Sequence, residues 1–135
     1  QVVCCGFADE TNARHVPGLN VSREELAAGV AHARAARVLV AIYAFSRAGG
    51  EVLHRADAEA TGAAAAIPAD LGLLAHAAER HPRLRRHLSV QAAAASPDAI
   101  DPYAEAFGIR RVVPPRVLTA DEIAALNREI DMETQ

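Results

Sequence analysis

The apolar residues of this chain gather in short runs, and the stretches between the runs have the periodicity of amphipathic helices. Five runs predict strands: VVCCGF at 2–7, RVLVAIYAF at 37–45, AAIPAD at 65–70, HLSVQA at 87–92 and RVVPP at 111–115. Helical segments alternate with these runs, which is the order of repeated βα units. The sequence therefore predicts the α/β class, with a parallel sheet covered by five helices.

The helix boundaries have their own sequence signals. Two capping boxes, Ser22 with Glu25 and Thr119 with Glu122, open helices that run to about residue 36 and to about residue 129. Gly108 closes another helix in the left-handed conformation that glycine tolerates. The other expected boundaries are Ser96 as a cap with Pro97 at the first helical position, Gly50 and Gly62, and Leu71 with Pro82 just beyond the helix end.

Length and charge limit the function classes. A chain of 135 residues with 51% hydrophobic residues fits one ordinary domain, so residues 1–135 are expected to form a single domain. The net charge of −3 and the lack of a basic stripe argue against nucleic-acid binding. No apolar run approaches the roughly 20 residues of a membrane span, and we expect a cytoplasmic protein.

The two cysteines, Cys4 and Cys5, are adjacent on the first predicted strand, where side chains alternate between faces. They cannot form a disulfide framework or complete a metal site alone, so buried, inert thiols are the expected role. We expect this chain to bind no metal.

The longest irregular stretch, residues 8–20, follows the first predicted strand. A connection of that length in a compact α/β domain usually binds something or lacks order. Because it contains Asn12 and Arg14, together with Asp9 and His15, we favour binding.

The fourth predicted strand has an unusual alternation. His87, Ser89 and Gln91 would share one face, and Leu88 with Val90 the other. Inward positions of parallel barrels are mostly filled by branched apolar residues, so a polar row needs partners or a ligand. We interpret it as one side of a polar binding site in the hollow of a half-barrel.

Other polar residues follow predicted strands, at the end of the sheet where α/β proteins bind ligands. Asp70 follows the third strand and serves as a helix cap, a ligand contact or both. Arg116 follows the fifth strand and either pairs with a helix carboxylate or clamps an anion. His87 has a structural role or a binding role. Phosphate-binding and serine-hydrolase motifs are absent from the sequence.

Four blocks carry a family resemblance. They are CGFADETNARHVPGLNVSREELAAGVAHA, ADLGLL, HLSVQAAA and RVVPPRVLTADEI. In this order they resemble the collagenase-like peptidase family U32, and within it they are most similar to the U subunit of the bacterial oxygen-independent ubiquinone hydroxylation pair.

The resemblance implies a partial TIM-like (β/α) barrel of five to six strands, without the first βα unit and the cysteine-bearing carboxyl-terminal half of the family. That half binds a 4Fe-4S cluster, whose ligands are not in this chain. The implied partner is a V-type paralogue in a heterodimer, and the implied substrate is a quinone or a prephenate-like molecule. Self-association through open sheet edges is the alternative assembly.

In this interpretation the substrate-binding residues are Asn12, Arg14, Asp70, His87, Ser89, Gln91 and Arg116, and the catalytic residues are unknown. The first alternative is a peptidase, for which Ser89 beside His87 is the best nucleophile pair, without an orienting carboxylate. The second is a non-catalytic interaction module. The chain departs from the family pattern at Tyr43, Ala44, Ser96, Pro68 and Pro114, and the two prolines are expected only at bulges or sheet edges. The chain alone is expected to be inactive.

Overall fold

A computed structural model describes residues 2–5, 22–44 and 62–134 of the chain. This part contains six strands and four α-helices. The strands are β1 (Val2–Cys5), β2 (Leu39–Ala44), β3 (Ala65–Pro68), β4 (Arg85–Leu88), β5 (Arg111–Val112) and β6 (Glu133–Thr134). The helices are α1 (Arg23–Ala35), α2 (Leu71–Arg80), α3 (Pro97–Phe107) and α4 (Ala120–Glu129). Of the helix expected over 50–62, residues 50–61 lie outside the described residues, and Gly62 lies in a turn.

The strands form one sheet in the order of the chain, β1-β2-β3-β4-β5-β6, and all five strand pairs are parallel. Parallel neighbours need a crossover connection, and α2, α3 and α4 supply it between the strands from β3 to β6. The expected α/β class with a parallel sheet is confirmed.

The predicted strand over 87–92 is wrong beyond Leu88. Ser89 ends β4 and caps a 3₁₀ turn, Val90–Ala92, because its hydroxyl oxygen accepts the N–H of Gln91 at 3.3 Å. Ala93 then adopts a left-handed conformation, with φ of 53°. A local bond from side chain to backbone thus replaces the strand ladder. Strand β6 was not predicted.

The two prolines differ from their expected places. Pro68 is the last residue of β3, an interior strand, and it is paired in register with Ala44. The expectation of an edge or a bulge is therefore wrong for Pro68. Proline lacks a backbone N–H, so one hydrogen-bond donor is lost at the end of β3. The carbonyl of Pro68 still accepts the N–H of Ser89 at 2.9 Å. Pro114 lies beyond the end of β5.

The apolar residues pack between helices and sheet in two clusters. The smaller joins α1 to the sheet through Leu26, Val30, Val40, Ala66 and Leu84. The larger covers β4 and β5 with α2, α3 and α4, and its members are Leu74, Leu88, Ala94, Ile100, Ile109, Val112, Leu126 and Ile130. Each fully buried aliphatic side chain stabilises the fold by roughly 1.5–3 kcal/mol, so these clusters hold the helices against one face of the sheet.

The helix caps predicted from the sequence are present. Ser22 with Glu25 and Thr119 with Glu122 form complete capping boxes. Ser96 accepts from the N–H of Ala99, with Pro97 at the first helical position. Gly108, with φ of 62°, ends α3 as predicted, and Pro82 lies beyond the end of α2.

Arg86 ties two helices to the sheet. Its guanidinium donates to the carbonyl of Phe107 at the end of α3, at 2.6 Å, and to those of His81 and Leu84 around the end of α2, at 3.3 and 2.9 Å. Carbonyls at helix ends lack intrahelical partners, and a cation there also interacts favourably with the helix dipole. A Cβ on Gly108 would lie 3.1 Å from this guanidinium, so glycine also leaves room for it.

We expect Arg86→Leu to lower the free energy of unfolding by about 2–4 kcal/mol, because it leaves several part-buried carbonyls without a charged donor. Urea denaturation measures the change. The matched control is Arg83→Leu, in the exposed turn before β4, which should change stability by less than about 0.5 kcal/mol. Equal losses for the two variants would contradict the role assigned to Arg86.

Thr119→Ala should destabilise the protein by about 1 kcal/mol, because the threonine hydroxyl accepts the N–H of Glu122 at 3.3 Å as the N-cap of α4. Thr119→Ser keeps the hydroxyl and should lose much less. Thermal unfolding of the two variants tests the assignment, and a serine variant as unstable as the alanine variant would refute it.

Candidate functional site

The side chains of β4 alternate between the two faces of the sheet and so lie in two different environments. Leu88 on β4 and Val112 on β5 lie in the large apolar cluster under the helices, and both are fully buried. Consecutive strand residues point to opposite faces, so His87 and Arg111 lie on the other face, which we call the inner face. A small apolar cluster of Ala65 and Ile67 also belongs to the inner face.

The inner face carries a cleft of about 520 Å³, which we call the inner-face cleft. It lies at the amino-terminal ends of β4, β5 and β6, because Arg85, Arg111 and Glu133 are the first residues of these strands. The full lining is Arg85, His87, Arg110, Arg111, Ile130, Asp131, Met132 and Glu133. The cleft therefore combines charged side chains with an apolar wall.

His87 is the buried polar group of this cleft. Its side chain is only 7% exposed, and its Nδ1 atom has no hydrogen-bond partner. Burial, together with the guanidiniums of Arg111 and Arg85, lowers the pKa of His87 to about 4, whereas Glu133 acts in the opposite direction. The imidazole is therefore neutral at pH 7, and its Nδ1 atom makes no hydrogen bond.

Arg111 and Glu133 form an ion pair across the register of β5 and β6. The hydrogen bond from Arg111 holds the pKa of Glu133 below its usual value. In this pair one positive charge and one negative charge of the cleft neutralise each other. Arg85 and Arg110 remain as exposed guanidiniums in its lining.

The residues predicted from strand ends lie at the opposite end of the sheet. Asp70 follows β3, Ser89 and Gln91 follow β4, and Arg116 follows β5, so four of the predicted residues follow three neighbouring strands. We call this set the carboxyl-end rim. Asp70, Gln91 and Arg116 are exposed there, whereas Ser89 is 1% exposed.

The structure bears on two predictions made from the sequence, the helix cap at Asp70 and the polar row along the fourth strand. Asp70 is a helix cap, because its Oδ1 atom accepts the N–H of Leu73 at 2.8 Å, which leaves its second oxygen for a ligand. The polar row of His87, Ser89 and Gln91 is wrong, because Gln91 lies in the 3₁₀ turn and β4 ends before it. Asn12 and Arg14 lie outside the described residues.

The Ser89–His87 nucleophile pair is contradicted by its geometry. The Nδ1 atom of His87 has no hydrogen-bond partner, and Ser89 is almost completely buried, where it accepts the backbone N–H of Gln91. An imidazole whose pKa is about 4 is also a weak base at neutral pH.

Sequence reasoning found His87 but missed the rest of the inner-face cleft. Arg85 precedes His87 by two positions, so strand alternation alone predicts a shared face for them. The sequence predicts Arg111 only as the first residue of a strand. Glu133 could not be found, because β6 carries no apolar run.

In residues 22–44 and 62–134, no three His, Cys, Asp or Glu side chains group closely enough to hold a metal ion. The whole chain contains only two cysteines, Cys4 and Cys5, so its residues do not fit a cluster that needs four thiolates. Among the described helices, none has the length and apolarity needed to cross a membrane.

The fold of this chain is similar to that of a solved structure. The solved structure titled "The Structure of the U32 Peptidase Mk0906" superposes with a TM-score of 0.72 and 17% sequence identity. The match covers 97% of this chain and 57% of that one, so the chain spans little more than half the length of this neighbour. The likeness confirms the expected fold class, a partial TIM-like barrel of parallel βα repeats.

The family comparison covers the whole chain. The model described as Peptidase family U32 matches residues 1–135, the full length whose blocks suggested the resemblance. The chain therefore belongs to peptidase family U32.

Proposed function

We propose that this chain forms the substrate-side part of the barrel in an oxygen-independent ubiquinone-biosynthesis hydroxylase component. The observation that carries the proposal is the carboxyl-end rim, where three neighbouring parallel strands are each followed by an exposed polar side chain. Barrel enzymes carry their active sites at this end of the strands. Membership in family U32 and the resemblance of the sequence blocks support the same function.

The rim residues supply complementary contacts in this function. Arg116 offers a guanidinium fork that holds a carboxylate or another anionic group. Gln91 offers an amide that both donates and accepts hydrogen bonds, and Asp70 keeps one oxygen that its capping bond does not use. The proposal assigns further substrate contacts to Asn12 and Arg14, which follow β1 in the sequence.

The hydroxylation chemistry is assigned outside this chain. A 4Fe-4S cluster bound by other cysteines would supply the redox step, and we derive no step through it. The proposed partner is a V-type paralogue, and the proposed substrate is a quinone or a prephenate-like molecule. The residues of this chain bind and orient that substrate.

A peptidase is the second candidate, since the neighbour of similar fold is titled a U32 peptidase. The described residues do not favour a serine mechanism, because Ser89 is buried and makes no bond to the Nδ1 atom of His87. A non-catalytic module that associates through the edges of the sheet is the third candidate.

The proposed function predicts anaerobic rescue of ubiquinone synthesis. The gene product that carries this chain, expressed with its V-type paralogue, should restore ubiquinone in bacteria that lack the U subunit and grow without oxygen. Quantification of ubiquinone by mass spectrometry measures the rescue. Failure of rescue, combined with hydrolysis of collagen-like peptides by the same gene product, would replace the proposal with the peptidase.

The rim makes a separate prediction. The double variant Gln91→Ala with Arg116→Ala should lower anaerobic ubiquinone at least tenfold, because it removes an anion contact and a directional hydrogen bond. The matched control, Asn127→Ala with Arg128→Ala, changes an exposed amide and an exposed arginine on α4 and should keep the parent level. Parent activity in the rim variant would refute the role of the rim.

A further inference from the structure

The inner-face cleft is separate from the carboxyl-end rim. It is built around the first residues of β4, β5 and β6, whereas the rim residues follow the last residues of β3, β4 and β5. Its volume of about 520 Å³ falls in the range of small-molecule sites, about 300–1,000 Å³. The proposed function makes no use of it.

The charges in this cleft favour a monoanion. Three arginines face two carboxylates, Asp131 and Glu133, and Glu133 is bonded to Arg111. An excess of one positive charge therefore remains, with Arg85 and Arg110 exposed. Guanidiniums recognise carboxylates through paired N–H donors, so this excess matches one carboxylate group.

His87 gives a second, independent indication of a ligand. A buried polar atom without a hydrogen bond is costly, and the Nδ1 atom of His87, a residue that lines the cleft, is such an atom. The residue is more than nine-tenths buried, which limits competition from bulk water. In the tautomer with hydrogen on Nδ1, a turn of the ring towards the cleft lets it donate a hydrogen bond to a bound oxygen.

The remaining wall is apolar. Ile130 and Met132 line the cleft and belong to or pack against the large apolar cluster. A bound molecule that contacts this wall gains from burying hydrocarbon, which a simple inorganic anion cannot do. The lining thus pairs one anion-binding end with an apolar surface.

We propose that the inner-face cleft binds a small organic monocarboxylate. Its carboxylate lies between the guanidinium of Arg85 and the Nδ1–H of His87, and its apolar body lies against Ile130 and Met132. This site is a second binding site at the amino-terminal ends of the strands.

Benzoate is the probe for this site, with inorganic phosphate as the comparison anion. In the purified protein labelled with ¹⁵N in its histidine rings, benzoate should shift the ring signals of His87 and leave those of exposed His32 unchanged. Phosphate at equal concentration should bind at least tenfold more weakly, because it has no apolar part and carries more charge. Equal binding of phosphate, or no shift of His87, would overturn the proposal.

Variants separate binding from folding. Arg85→Gln should weaken benzoate binding about tenfold or more through loss of a charge-assisted bond, whereas Arg83→Gln, at an exposed arginine outside the cleft, should bind like the parent. His87→Leu should lose binding while keeping or raising the melting temperature, because an apolar side chain removes the unpartnered Nδ1 atom. A large fall in melting temperature for His87→Leu, or parent affinity in Arg85→Gln, would contradict the site.

Discussion

Side chains of consecutive strand residues must point to opposite faces, and strand β4 is the place where this constraint organises the molecule. Arg86 and Leu88 lie on the helix side, where Arg86 bonds the ends of α2 and α3 and Leu88 is fully buried. Arg85 and His87 consequently lie on the inner face. The same four residues therefore attach the helices to the sheet and supply two of the polar residues of the cleft.

The local boundaries of the fold could be predicted because they depend on short-range chemistry. Ser22 and Thr119 cap helices through bonds to residues three positions away, and Gly108 adopts a conformation that most other residues avoid. The sheet order follows from consecutive βα units. These features need no knowledge of distant contacts.

The features that sequence reasoning missed depend on competition or on distant partners. Ser89 bonds the backbone of Gln91 and ends β4 early, although the alternation of the residues resembles a longer strand. Glu133 joins the sheet through pairing with Arg111, and nothing in its local sequence indicates a strand. The site was therefore expected at one end of the sheet, and the cleft at the other end was not foreseen.

The two ends of the sheet have different roles in this account. The carboxyl-end rim has exposed polar groups suited to a substrate, and the inner-face cleft has a buried imidazole beside arginines. The amino-terminal end of a barrel usually contributes stability, yet the Nδ1 atom of His87 contributes no hydrogen bond to the fold. The proposed ligand would account for a polar group that packing does not explain.

The most direct test of this arrangement is the ¹⁵N titration of the His87 ring between pH 3 and pH 8 in the absence of ligand. The account predicts a ring that stays neutral until the pH falls to about 4, because burial and the neighbouring arginines disfavour the imidazolium. Titration near the ordinary value of 6.5 would show a solvated ring and would contradict a buried His87 on the inner face.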